Sequence, residues 1–129
     1  MELASPLLQL ATTRGKLLEL MTLVVRPHDA ASADRAFTVG IMSLADALFS
    51  IPMCDILDNV EVADDVRGAL LDREGQFGTM LKVAELLEAA DGGCKLATAL
   101  RKLGLTVAQI REIELAAFDW VRELTHEVH

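Results

Sequence analysis

Apolar and polar positions alternate with a helical period along most of the chain, most densely over residues 37–60, FTVGIMSLADALFSIPMCDILDNV. Phe37, Ile41, Leu44, Ala45 and Leu48 recur at three- and four-residue steps, and Met42 and Phe49 widen the apolar surface beyond one face. Only Ser43, Asp46 and Ser50 form a polar stripe. The pattern predicts a central helix covered on most sides by others. Pro52 stops it, because proline lacks the amide that a continuing helix needs, yet it suits the start of a new one. Met53, Ile56, Leu57 and Val60 then repeat at helical spacing and predict a short second helix.

The flanking stretches carry their own start and stop signals. Ser5 as N-cap and Pro6 in the first turn open a helix along Leu7, Leu10, Ala11, Leu17, Leu18, Met21 and Val24, ending near Arg26 and Pro27. Arg14 and Gly15 interrupt its middle. Either Gly15 allows close helix approach while Arg14 snorkels outward, or Arg14 pairs with an acid such as Asp46. Residues 27–34, PHDAASAD, read as a loop. Asp64 and Asp65 fall in the first turn of a helix carrying Val66, Ala69 and Leu70, where the helix dipole favours carboxylates. Gly75 breaks the chain, and Phe77, Met80, Leu81, Ala84 and Leu87 form the stripe of a further helix, with Lys82, Glu85 and Glu88 on its wet side. That helix runs out at Asp91, Gly92 and Gly93. The next begins at Cys94, buries Leu96, Leu100 and Leu103, and ends at Gly104 with Arg101 and Lys102 in its last turn. The last has the strongest start signal: Thr106 as N-cap, Gln109 as its reciprocal partner, and Leu105 against Ile110 as a hydrophobic staple. Ile110, Ile113, Ala117, Trp120, Leu124 and Val128 line one face, with Trp120 expected to anchor the packing. The expected fold is all-α, a compact bundle of about six to seven helices in a single domain spanning the chain.

One stretch also resembles a known family. Phe37, Val39, Gly40, Ser43, Asp46, Ala47 and Leu48 before Pro52, followed by Ala69, Leu70, Leu71, Glu74, Gly75, Gly78 and Leu81, are similar to the C-terminal part of HDOD output domains. The resemblance runs in outline over residues 5–124 and is dense over residues 37–88 and 116–120, where Trp120 falls. It implies a noncatalytic module of bacterial signalling proteins in which an EAL-type cyclic-di-GMP phosphodiesterase domain precedes the HDOD part. Nothing in this chain resembles the EAL part. Because HDOD domains are usually longer than the stretch matched, further helices upstream are expected.

Composition changes this picture in three ways. Hydrophobic residues make up 52% before the 8 glycines are added, above the roughly 45–50% typical even with glycine counted. The excess implies apolar surface intended for a protein partner or an adjacent domain. A leucine-rich helix over residues 1–25 makes a homodimer the first expectation. A net charge of −8 without any basic run argues against nucleic acid. Cys54 and Cys94 stand far apart with no metal-ligand spacing, as suits a reducing cytoplasm, and no uncharged run approaches the ~20 residues of a membrane span.

Candidate chemistry is sparse. His28 followed by Asp29 is the one dipeptide reminiscent of metal-dependent HD phosphohydrolases, which need a further upstream His and a downstream Asp to converge on the cation. No His precedes His28, and the resemblance implies that these ligands have been lost. His126 and His129 lie three apart near the end of the chain and read as a solvated tail. The expectation is therefore a noncatalytic signalling module with no metal, cofactor or catalytic residue. The alternative is a small HD-type hydrolase using His28, Asp29 and Asp46.

Overall fold

The computed structural model describes residues 5–90 and 93–127, with side chains to Leu124. Among the described residues every regular element is a helix: α1 (Pro6–Val25), α2 (Ala30–Met42), α3 (Ala45–Phe49), α4 (Met53–Asp58), α5 (Asp64–Asp72), α6 (Gly75–Glu88), α7 (Cys94–Leu103) and α8 (Val107–Glu127). The all-α bundle expected from the pattern is what forms. It holds eight helical segments because the central stretch is divided.

That division corrects the reading of one helix across residues 37–50. Ser43 caps the C-terminus of α2, and its hydroxyl donates to the Gly40 carbonyl at 2.7 Å. Such back-bonding competes with the helical ladder and bends it. Leu44 leaves helical geometry at φ −110°, ψ 7°, and α3 restarts the chain for one turn before Ser50 ends it in the left-handed region. A second correction concerns residues 27–34, of which only Pro27, His28 and Asp29 lie outside helix. Asp29 is the N-cap of α2, accepting from the Ser32 amide at 3.1 Å and the Ser32 hydroxyl at 2.7 Å.

α1 is the spine. It packs most extensively against α2 and also along α8 and α6. The α1–α2 crossing is a glycine-to-glycine contact: a Cβ on Gly40 would collide with the Gly15 backbone, and one on Gly15 would meet the Ile41 side chain at 3.0 Å and the Phe37 carbonyl at 3.1 Å. Close approach is thus the role Gly15 plays. A second tight junction joins α5 to α6. Arg73 ends α5 with φ 55°, and a Cβ on Gly78 would collide with the Arg73 backbone. Gly75, expected to break the chain, opens α6 at φ 71°.

The core runs through all but one of the helices, with Leu18 and Met21 from α1, Val39 from α2, Leu57 from α4, Leu70 from α5, Met80, Leu81 and Val83 from α6, Leu100 from α7 and Ile110 from α8. The capping box of α8 closes as expected, Thr106 N–H donating to Gln109 Oε1 at 2.9 Å and Gln109 N–H to Thr106 Oγ1 at 3.1 Å, over buried Leu105 and Ile110. Ser5 stands at the N-cap position of α1 but its side chain makes no capping bond. Val128 and His129, together with the side chain of His126, lie outside the described residues.

Candidate functional site

α1, the end of α6 and the second half of α8 enclose an open groove of about 820 Å³. Leu10 and Leu17 of α1, Leu87 of α6, and Phe118 and Val121 of α8 supply its apolar walls, while Glu88, Glu114 and Arg122 form a charged rim. The helical register explains this lining. Ile110, Ile113 and Ala117 take the buried face of α8, which leaves Leu115 and Phe118 pointing elsewhere, 65% and 52% exposed. Phe118 is the one of the two that reaches the groove.

Beneath the rim lies a largely buried ion pair. Arg14 Nε donates to Glu88 Oε2 at 2.6 Å and Arg14 Nη2 to Glu88 Oε1 at 2.7 Å, a planar two-point pairing. The third arm of the guanidinium, Nη1, donates to Ser43 Oγ at 3.0 Å. The Arg14 side chain is 9% exposed and that of Glu88 23%. Burial by itself lowers the Arg14 pKa, but the hydrogen bond and charge of Glu88 outweigh it and the value is raised, so Arg14 is a permanent cation. Arg14 therefore neither snorkels nor pairs with Asp46. Asp46 adds only a weaker attraction from a distance, and its carboxylate accepts from the Ala47 amide at 2.9 Å. Ser43 is the hinge of this cluster, since one hydroxyl both terminates α2 and accepts from Arg14.

Trp120 occupies an adjacent position. Expected to anchor the packing of α8, it does so part-buried. Its ring meets Phe37 edge-on, centroids 6.1 Å apart at 88°, and Lys16 Nζ stands 4.8 Å above it. The positions singled out for their resemblance thus divide. Phe37 joins Trp120, and Gly40 and Ser43 join Arg14, whereas Leu48 is half-buried and Pro52 and Gly75 lie exposed at the starts of α4 and α6. Glu88 was assigned to the wet side of its helix. Its pairing with Arg14 spans 74 residues, and no local pattern marks it.

Asp29 serves as a helix cap. His28 is exposed at φ 71°, and both Asp29 oxygens are engaged by Ser32, which holds the Asp29 carboxyl below its ordinary range. Among the described residues no three His, Cys, Asp or Glu side chains are grouped as a metal site. Cys54 and Cys94 are both exposed free thiols. No helix among the described residues is long and apolar enough to cross a membrane.

No protein-family model matches the chain, and no solved structure does. The chain is 30% identical over 118 residues to the cyclic di-GMP phosphodiesterase CdgJ of Vibrio cholerae. That alignment covers 92% of this chain and 27% of the Vibrio protein, so the similarity takes in nearly all the helices described above and about a quarter of the relative's length.

Proposed function

We propose that this chain is a noncatalytic interaction module of the HDOD type in cyclic-di-GMP signalling, acting in the cytoplasm by docking a protein partner or an adjacent domain. The observation that carries the reading is the groove beside Arg14–Glu88, an apolar trough with a charged rim on a chain that is similar over almost its whole length to part of a cyclic di-GMP phosphodiesterase. The organised polar groups support it too. Arg14 and Ser43 are spent on holding helices together and Asp29 on a cap.

A chimera tests this, with this chain replacing the stretch of the Vibrio protein that it matches. Wild-type chain is expected to support cyclic di-GMP hydrolysis, and Phe118→Glu to change the rate severalfold by spoiling the groove. An unchanged rate would overturn the groove's role. The chain alone is expected to leave cyclic di-GMP intact with or without added manganese, and turnover that vanishes in His28→Ala/Asp29→Ala would instead establish the hydrolase. Whether a second copy fills the groove is read from light scattering across concentration, where a dimer abolished by Phe118→Glu places the groove in the interface.

A further inference from the structure

On the opposite side of α6 from the spine, α6 and α7 border a second groove of about 520 Å³ whose character is reversed. Four of the chain's 12 basic residues, Arg73, Lys82, Lys95 and Lys102, line it, and no described acidic residue does, in a molecule whose net charge is −8. Arg73 is committed: its Nε and Nη2 each donate to the Glu85 carboxylate at 3.0 Å. The three lysines are exposed and make no ion pair among the described residues, although Lys82 stands near enough to Glu85 to favour its charged form. Lys102 complements the C-terminal end of α7 and Lys82 attracts Glu85, but the lysines on neighbouring helices repel one another.

We propose that this groove docks an acidic peptide segment of a partner protein. Lys95 and Lys102 are seven residues apart on α7, which places them two turns or about 10 Å from one another along a single face. Carboxylates seven residues apart on one face of a helix match that interval. Leu86 and Ala99 give the floor between the lysines an apolar strip that a leucine between the acids would cover. The lining has no aromatic ring on which a nucleobase could stack, and its free cations are lysine point charges rather than arginine forks, so the chemistry favours carboxylates over a nucleotide. Charge then fixes where the partner lands, since an acidic segment is repelled by most of the remaining surface.

The test titrates the intact chain into a fluorescein-labelled peptide of alternating glutamate pairs and leucines and reads anisotropy at low salt. Lys82→Gln, Lys95→Gln and Lys102→Gln are each expected to weaken binding about two- to fivefold, and the triple variant about tenfold or more, with affinity falling as salt rises. Arg111→Gln, a basic side chain on α8 outside the groove, is expected to change nothing. No binding at about 1 mM, or binding indifferent to the triple substitution, overturns the proposal. So does cyclic di-GMP binding that the same three substitutions abolish, which would make the groove a nucleotide site.

Discussion

Removing the Glu88 carboxylate is the perturbation whose cost the structure sets most directly. Glu88→Ala deletes two charge-assisted hydrogen bonds of 2.6 and 2.7 Å and leaves Arg14, itself 9% exposed in its side chain, with Ser43 as its remaining partner. Breaking a fully buried pair from one side costs about 3–5 kcal/mol, because a charge is left without compensation. Here the Glu88 side chain is 23% exposed, so water can reach the vacated position and screen part of that cost. The expected loss is therefore about 2–3 kcal/mol. Arg14→Met, which keeps an unbranched stem in the α1–α2 interface and strands only the more exposed partner, is expected to cost about 1 kcal/mol.

The double variant separates pairing from packing. Once Arg14 is methionine there is no buried charge for the Glu88 deletion to expose, so the pair together should cost about 1–2 kcal/mol, less than the two singles added. The assay is urea unfolding followed by far-UV circular dichroism, with equal slopes confirming that midpoints report stability. Arg14→Lys should recover little, because an ammonium cannot reproduce a planar fork shared between Glu88 and Ser43. A Glu88→Ala loss under about 0.5 kcal/mol, or strictly additive singles, would refute the claim that this pair locks α6 to α1.

Three further outcomes are expected. Gly40→Ala should destabilise by about 1–3 kcal/mol despite the helix propensity that alanine adds, since its Cβ must displace the Gly15 backbone; unchanged stability in thermal unfolding would mean the two helices part freely. Trp120→Ala should cost about 1–3 kcal/mol, less than an enclosed ring would, because the ring is part-buried, with Phe37 against its edge and Lys16 above it; a loss above about 4 kcal/mol would mean the site behaves as a fully enclosed one. Burial raises the Glu85 carboxyl, but the bonds and charge of Arg73 outweigh it and hold it below its ordinary 4.5. Its stabilisation is thus complete above that value and fades as pH falls through the lower folded value, so Glu85→Gln should flatten the acid limb of the urea midpoint against pH, and an unaltered limb would count against the pairing.

What the sequence revealed divides along the range of the interactions involved. The α8 capping box and the Gly104 stop depend on residues within three or four positions, and both formed as read. The break at Ser43 was hidden, because its polar stripe looked solvated until α1 brought Arg14 against it. Asp29 carries a legible local signal, since an Asp directly before the alanine-rich start of α2 is an N-cap pattern. Glu88 was beyond reach, since a carboxylate at the end of an amphipathic helix looks the same whether it meets water or a guanidinium folded back from 74 residues away.

The apolar surplus is shared between α1 and α8. Leu17 and Leu18 are buried and Leu8, Leu10 and Leu20 partly so, because the glycine crossing draws α2 close and α6 and α8 pack alongside, while Leu7, Leu23 and Val24 stay exposed on α1. α8 carries the barer face, with Leu115 and Phe118 exposed beside a buried stripe on the same helix, and Phe49 and Ile51 project between α3 and α4. A helix apolar on two sides is built to be covered on both. Phe118 and Glu88 line the same groove, so whatever fills it meets the carboxylate that also holds Arg14. Excluding water from Glu88 strengthens that ion pair, provided the pair stays formed. Occupancy of the groove and rigidity of the α1–α6 junction are then linked, and a partner that covers Phe118 should raise the unfolding temperature of the wild-type chain more than that of Glu88→Ala.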